Sequence, residues 1–367
     1  MTEKKTADSG YDYMILVPAI LLITLGLIAV YSASSNLAEH RLGDSYYYLR
    51  KQVVFCLIGA GMMIVARYVP CTLYAKVVYP LLLISLSLLS LLFVPGLGHR
   101  VGGASRWLGF GGATFQPSEL AKFSLAVYMA YSMSKKGKDM ATFTKGLMPH
   151  LVVAGLFILL ILRQPDLGTA VIIAAWIMIS LFVGGVRMYQ IVGMILLAAP
   201  ALIWLIWQAD YRIRRMLAFL NPWDDPMGIG FQIIHSFLAF GSGGIFGAGL
   251  GNSKQKLFYL PEPHTDFALS IIGEELGLVG VASVIFLFGM LITGGIRAGL
   301  KAKDLYSTYL AVGLTAFIGL QVLINMAVVM GLLPTKGLTL PLISYGGSSL
   351  LITLASIGVL LNISSRN

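Results

Sequence analysis

Asp266 is the residue of this chain best placed to do chemistry. It stands where the polar run Lys256-Leu-Phe-Tyr-Leu-Pro-Glu-Pro-His-Thr265 gives way to the apolar Phe267-Ala-Leu-Ser-Ile-Ile-Gly-Glu-Glu-Leu-Gly277. A carboxylate where water meets lipid is costly unless it has a partner or a task, so such groups are functional candidates by default. One task is to accept a proton as a general base. Continued as a helix from Asp266, the sequence puts Ser270, Gly273 and Gly277 on one face, a small and polar stripe suited to facing a cavity. Glu274 falls at the edge of that stripe and Glu275 points the opposite way. An N-terminal helix cap is the plain structural alternative for Asp266.

Four other stretches offer polar groups to the same side. Gly103-Ala-Ser-Arg-Trp-Leu108 leads into Phe115-Gln-Pro-Ser-Glu-Leu-Ala-Lys122, where Pro117 suits a first helical position and Glu119 the first turn. Glu119 and Lys122, three apart, can pair with each other on one face. The functional alternative is that Arg106 or Lys122 faces a substrate phosphate. Trp107 is either an interfacial anchor or a platform for a sugar ring. In Leu162-Arg-Gln-Pro-Asp-Leu-Gly-Thr169, Arg163 and Asp166 read as a turn and helix start or as site residues. The run Gly331 to Ser349 holds Pro334, Pro341 and several glycines at membrane depth, where irregular backbone must be buried or line a cavity. Its donors are Lys336, Ser344, Ser348 and Ser349. Gln321 and Asn325, one turn apart, suit interhelical hydrogen bonding, and His264 suits a hydrogen-bonding neighbour of the site or a second acid or base. Asp224 and Asp225 read as a solvated turn or a metal site.

The elements that must hold these residues are membrane helices. The 367 residues are 57% hydrophobic and only 11% charged, whereas a soluble domain approaches a quarter charged. A mean hydropathy of +0.83 and 41 glycines fit an all-α integral membrane protein with closely packed helices. Cys56 and Cys71 give neither a disulfide framework nor a metal spacing. The net charge of +10 is spread over many short loops with no basic stripe interleaved with aromatics, which argues against nucleic acid.

Apolar runs fall at Met14–Tyr31, Val53–Ala66, Val77–Phe93, Ser118–Met133, Leu151–Leu162, Thr169–Val183, Ile191–Trp207, Phe267–Thr293, Thr308–Leu332 and Ser349–Ile363. Ten transmembrane helices in a single polytopic domain over 1–367 are therefore expected, the first of them an uncleaved helix. Residues 1–12 form a short tail and 209–265 a long extracytoplasmic loop between helices 7 and 8. An even count leaves both termini on one side. Lys and Arg are nearly balanced between the two sets of loops until the long loop, with Arg212, Arg214, Arg215, Lys254 and Lys256, is set aside. The excess then favours cytoplasmic termini. A loop of that length is expected to be functional, and its glycine-rich Gly241 to Gly251 suits re-entrant or interfacial structure.

Four motifs in this order, Gln-Pro-Ser-Glu-Leu-Ala-Lys122, Tyr-Leu-Pro-Glu-Pro-His-Thr-Asp-Phe267, Gly-Glu-Glu-Leu-Gly277 and Leu-Pro-Leu-Ile-Ser-Tyr-Gly-Gly-Ser-Ser349, resemble the SEDS family of bacterial cell-wall polymerases. The likeness runs over nearly the whole chain. Leu333 to Pro341 and Lys254 to Pro261 look like the cell-division branch, with the elongation and sporulation branches close. The resemblance implies a ten-span fold with cytoplasmic termini in the bacterial inner membrane, at the septum for the division branch. It implies a peptidoglycan glycosyltransferase acting on lipid II, the undecaprenyl-diphosphate-linked disaccharide-pentapeptide. A class B penicillin-binding transpeptidase and other division proteins are the implied partners. The family's essential acid falls on Asp266, and its other polar positions on Arg106, Glu119, Lys122 and Asp166.

That reaction needs a base for a sugar hydroxyl and a cationic surround for a departing diphosphate. Asp266 is the expected base, with Arg106, Lys122 or a bound divalent cation (Mg or Mn) holding the diphosphate. Lys336, Ser344, Ser349, His264 and Trp107 complete the expected substrate-binding set. An α-linked donor giving a β-linked polymer inverts in a single displacement. A lipid II transporter and a non-enzymatic scaffold for the transpeptidase are the rival readings.

Overall fold

The protein is described here by a computed structural model covering residues 10–101, 104–110, 113–228, 230–257, 260 and 263–366. Most of the expected 1–12 tail lies outside the described residues, as do positions 258, 259, 261 and 262 of the motif that leads to Asp266.

Every apolar run lies on a helix. The chain runs α1 (Tyr13–Leu42), α2 (Tyr47–Tyr68), the short α3 (Cys71–Lys76), α4 (Val78–Leu91), α5 (Pro117–Lys136), α6 (Met148–Arg163), α7 (Leu167–Val183), α8 (Met188–Trp207), α9 (Asp210–Leu220), α10 (Phe231–Gly243), α11 (Ala268–Lys301), α12 (Leu305–Val329) and α13 (Gly347–Ser364). Among the described residues, seven helices are long and apolar enough to cross a membrane, and α4 and α7 are shorter apolar ones. Helix α5 falls outside both groups: it carries Glu119 and Lys122 and ends on Lys135 and Lys136. The first helix overruns its apolar stretch because nothing breaks it before Gly43, whose left-handed φ of 70° ends it.

Helices α12 and α13 form the buried centre. Helix α12 packs on α5, α7 and α11, and α2 lies along α13. Trp176 of α7, fully buried, donates its indole N–H to the Gly313 carbonyl of α12 (2.7 Å) and meets the Phe317 ring edge-on. Helix α8 buries only Ile191, as a helix facing lipid would.

The chain is helical as expected, with one small addition. Between α4 and α5 a small antiparallel sheet forms, β1 (Gly98–Val101), β2 (Ala104–Phe110) and β3 (Ala113–Phe115), in the order β1-β2-β3. Its glycine-rich sequence lacks the apolar–polar alternation that marks a strand. The long segment 209–265 holds α9, a 3₁₀ turn at Pro222–Asp224 and α10.

Helix α11 is broken. Gly277 sits at φ 65°, ψ −159°, and the glycine-rich run after α10 fills the break. Ala248 and Gly249 donate their N–H groups to the Glu274 and Glu275 carbonyls (2.9 and 3.1 Å), while Leu278 and Val279 donate to Gly244 and Ile245 (2.9 and 3.2 Å). The peptide groups that a helix break orphans are thus satisfied from outside the helix. The glycine-rich run, expected from its sequence to be re-entrant or interfacial and to line a cavity, is here packed against α11.

Both described chain ends lie at one end of the bundle. Asp12 caps α1 through the Met14 N–H (3.0 Å) and accepts from the Ser364 hydroxyl at the end of α13 (2.5 Å). The opposite end of α13 meets the sheet: Ser348 accepts from the Gln116 N–H (3.0 Å) and donates to the Thr114 carbonyl (3.4 Å).

Candidate active site

At that second end, four segments distant in sequence converge. The turn from α6 to α7 supplies Asp166, which is the N-cap of α7. Its two oxygens accept from the Thr169 N–H (3.1 Å) and hydroxyl (2.8 Å). Strand β2 supplies Arg106. Its Nη2 donates to the Pro165 carbonyl (2.6 Å) and its Nε lies 3.8 Å from Asp166. The connector between α12 and α13 supplies Lys336, with Nζ 4.0 Å from Asp166. Asp166 is thus both a satisfied helix start and the hinge of two ion pairs.

Two donors in this cluster lack a protein acceptor. Arg106 Nε and Lys336 Nζ have no hydrogen-bond partner among the described residues, although both are shielded from solvent. Buried polar groups are nearly always hydrogen-bonded, so such exceptions ask for a ligand. Burial pushes the Lys336 amine down to about 7, with Asp166 opposing the shift. Burial alone would raise the Asp166 carboxyl; Lys336, Arg106 and the Thr169 donors outweigh it and hold it below its ordinary value. The aliphatic stem of Lys336 lies across the first turn of α7, where a Cβ on Gly168 would collide with it.

Lys122 is differently occupied. It pairs with Glu119 (2.7 Å), reaches Gln321 Oε1 (3.4 Å) and sits 4.9 Å above the Phe317 ring. Its charge is met inside the bundle, in a small cleft between α5, α12 and α13 that also holds Thr353 and Ser356. Pro117 occupies the first helical position of α5 and Glu119 its first turn, as their sequence suggested.

Asp266 does not open α11. The helix begins at Ala268 with Phe267 as its N-cap, so the carboxylate belongs to the loop before it. It is half-buried and packs against Gly337, the exposed neighbour of Lys336, whose added Cβ would approach Asp266 Oδ2 to 3.0 Å. The stripe expected to face a cavity packs instead on α10. Ser270 shares a hydrogen bond with Ser236 (2.8 Å) and Gly273 lies under Phe240 and Gly243. Glu274 and Glu275 both hold the turn at Ser253–Lys256, through different partners. Glu274 accepts from the Lys254 N–H (2.9 Å) and the Ser253 hydroxyl, while Glu275 pairs with Lys256 (3.0 Å) and accepts from Ser32 (2.5 Å).

The remaining expected residues serve the frame. His264 is buried between the Tyr48 and Tyr345 rings (4.4 and 5.6 Å), and its carbonyl accepts from the Tyr345 N–H (2.8 Å). Burial, with Arg41 adding to it, lowers its imidazole to about 4. Ser344 accepts from the Leu340 N–H (2.9 Å) and Ser349 contacts the Thr339 hydroxyl (3.4 Å), so both brace the connector that carries Lys336. Trp107 stands beside Arg106 on β2, paired with His99 of β1, and is half-buried. Asp224 accepts from the Asn221 amide (2.7 Å), which makes the Asp224–Asp225 turn locally satisfied at Asp224. No group of three or more His, Cys, Asp or Glu able to hold a metal occurs among the described residues.

Sequence reasoning missed Gly168, Thr169 and Gly337. Asp166-Leu-Gly-Thr169 does carry an N-cap signature, but nothing in it reveals that a lysine far along the chain lies over the glycine.

Comparison with known proteins agrees with this architecture. The FtsW/RodA/SpoVE family, described as cell cycle protein, matches residues 12–367. The probable peptidoglycan glycosyltransferase FtsW of Geobacter metallireducens is 48% identical over 356 residues, 97% of this chain and 95% of its own. Stage V sporulation protein E of Bacillus subtilis is 42% identical over 364 residues, 99% of each chain. Among solved structures, a chain from a peptidoglycan synthase complex that coordinates polymerization and crosslinking superposes with a TM-score of 0.80 at 29% identity, covering 97% of this chain and 98% of that one. The rod shape determining protein RodA of Thermus thermophilus does so with a TM-score of 0.72 at 28% identity and the same coverage.

Proposed function

Because the chain belongs to the FtsW/RodA/SpoVE family of cell cycle proteins, we propose that it polymerises lipid II into glycan strands during septal wall synthesis. Its activity is that of the relatives it matches end to end: it is a multi-pass membrane peptidoglycan glycosyltransferase. On our reading it crosses the inner membrane ten times with cytoplasmic termini, and segment 209–265 lies outside. A class B penicillin-binding transpeptidase completes the machine, in keeping with the crosslinking partner that the synthase complex implies.

In this reading Asp266 takes the proton from the acceptor sugar hydroxyl as it attacks the donor's anomeric carbon. The carbon–oxygen bond to the diphosphate breaks on the opposite face, so the configuration inverts. The diphosphate needs no protonation to leave; it needs cations. Arg106 and Lys336 have donors to spare, whereas Lys122 is held by Glu119 and Gln321. We therefore assign diphosphate contact to Arg106 and Lys336 and a supporting role to Lys122. A divalent cation, Mg or Mn, would arrive with the diphosphate, since Mg is usually held by one or two carboxylates together with substrate phosphates.

The observation that carries this reading is that the half-buried Asp266 rests against Gly337, next to Lys336, whose Nζ, like Arg106 Nε beside it on Asp166, has no hydrogen-bond partner among the described residues. The test is polymerisation of labelled lipid II by the purified protein, with and without transpeptidase. Asp266→Ala should lose roughly 10²–10⁴-fold in rate while remaining folded and inserted. Wild-type chain growth by that variant would remove Asp266 from the role. Movement of lipid II between leaflets with no chain growth by the unaltered protein would favour a transporter.

A further inference from the structure

One buried amide joins the segment that carries the acid to the segment that carries the cation. Asn325 of α12 is 1% exposed. Its Nδ2 donates to the Asp266 carbonyl (3.1 Å) and to the Leu338 carbonyl (2.5 Å). Both protons of one NH₂ group are in use, one on each segment. Its Oδ1 has no hydrogen-bond partner among the described residues, so the side chain acts here as a donor alone.

The connector makes this contact consequential. Residues 334–340 form neither helix nor strand, and their carbonyls must find donors elsewhere. Gln321, one turn before Asn325, donates to the Thr339 carbonyl (3.1 Å). Two amides on one face of α12 therefore hold two consecutive carbonyls of the connector. Leu338 in turn donates its N–H to the Lys336 carbonyl (2.8 Å), closing a tight bend at Gly337, against which Asp266 rests. A shift of the Leu338 carbonyl would swing Gly337 and Lys336 relative to the acid.

With the reading above as its premise, we propose that Asn325 is a positioning residue that fixes the spacing between Asp266 and Lys336. It touches no substrate and acts through the two segments that it ties.

The test uses the full-length protein in lipid nanodiscs with labelled lipid II, following kcat, lipid II affinity and thermal midpoint. Asn325→Asp keeps the shape and removes the donors; Asn325→Ser is the second variant, shorter and with one donor. Both should fold and bind lipid II nearly as the unaltered protein does, yet lose on the order of 10²-fold in kcat, the cost of roughly 1 Å of misplacement. In a Lys336→Met background the loss caused by Asn325→Asp should shrink to less than about threefold, because coupled sites are not additive. Unaltered kcat in either folded variant, an equal loss in both backgrounds, or failure of both variants to fold would each overturn the proposal. Asp266→Ala in the same assay tests the premise separately: if it polymerises normally the premise fails, whereas an inactive Asp266→Ala beside an additive Asn325→Asp sinks the positioning role alone.

Discussion

Gly168→Ala separates stability from activity. Gly168 is in the first turn of α7, and a Cβ there would meet Cδ, Cε and Nζ of Lys336. To regain ordinary carbon–carbon separations of ~3.5–4.0 Å, the lysine must retreat by roughly 2 Å. The end of a lysine is flexible, so the fold tolerates that retreat. Exchanging glycine for alanine in a helix favours folding by up to about 1 kcal/mol, and the thermal midpoint should hold or rise. The amine should nevertheless lose its place beside Asp166. A hydrogen bond from a charged donor contributes about 1.5–3 kcal/mol, so kcat/KM for lipid II should fall by about 10- to 100-fold. Polymerisation and thermal unfolding measured on one preparation decide the matter. An active Gly168→Ala enzyme, or one whose activity and midpoint fall together, would refute the assignment of Lys336 to the diphosphate.

Titration and charge deletion supply two further outcomes. With its amine lowered to about 7, Lys336 is charged below that pH and neutral above it. KM for lipid II should therefore rise from pH 7 to pH 9, and Lys336→Arg, charged throughout, should flatten the rise; a parallel profile for both proteins would exclude Lys336 from binding. Glu275→Ala strands Lys256 in a buried site and should cost about 3–5 kcal/mol of stability, seen as a lowered thermal midpoint, with the Lys256→Met, Glu275→Leu double variant recovering most of it. A midpoint unchanged in Glu275→Ala would mean that the pair bears no weight.

Much of the site could be read before any coordinates. The helical segments announce themselves because lipid admits little else, and Asp266, Arg106, Asp166 and Lys336 stand out as ionisable groups in an apolar chain. What failed were inferences that extended a local period into tertiary space. The spacing of Ser270, Gly273 and Gly277 is helical, yet it serves packing against α10 as well as it would serve a cavity, and Gly277 leaves the helix altogether. The Glu119–Lys122 pair is legible from its spacing, whereas Gln321, distant in sequence, is a neighbour of Lys122 that only the fold supplies. Gly168 under Lys336 and Asn325 between two loops are contacts of the fold, and no window of neighbouring residues contains them.

On the proposed reading, the break at Gly277 also sets the depth at which the reaction runs. Beyond it, the charge-free stretch from Leu278 to Ile296 runs about 28 Å at 1.5 Å per residue, close to the thickness of a hydrocarbon slab, and ends on the exposed Arg297. On the reading proposed above, the short piece from Ala268 to Leu276 lies on the other side of the break from that stretch, packed against α10 and the glycine-rich run, and Asp266 lies beyond it again. On the same reading the acid stands clear of the hydrocarbon, so the isoprenoid tail of the donor stays in oil and no saccharide is drawn into the bilayer.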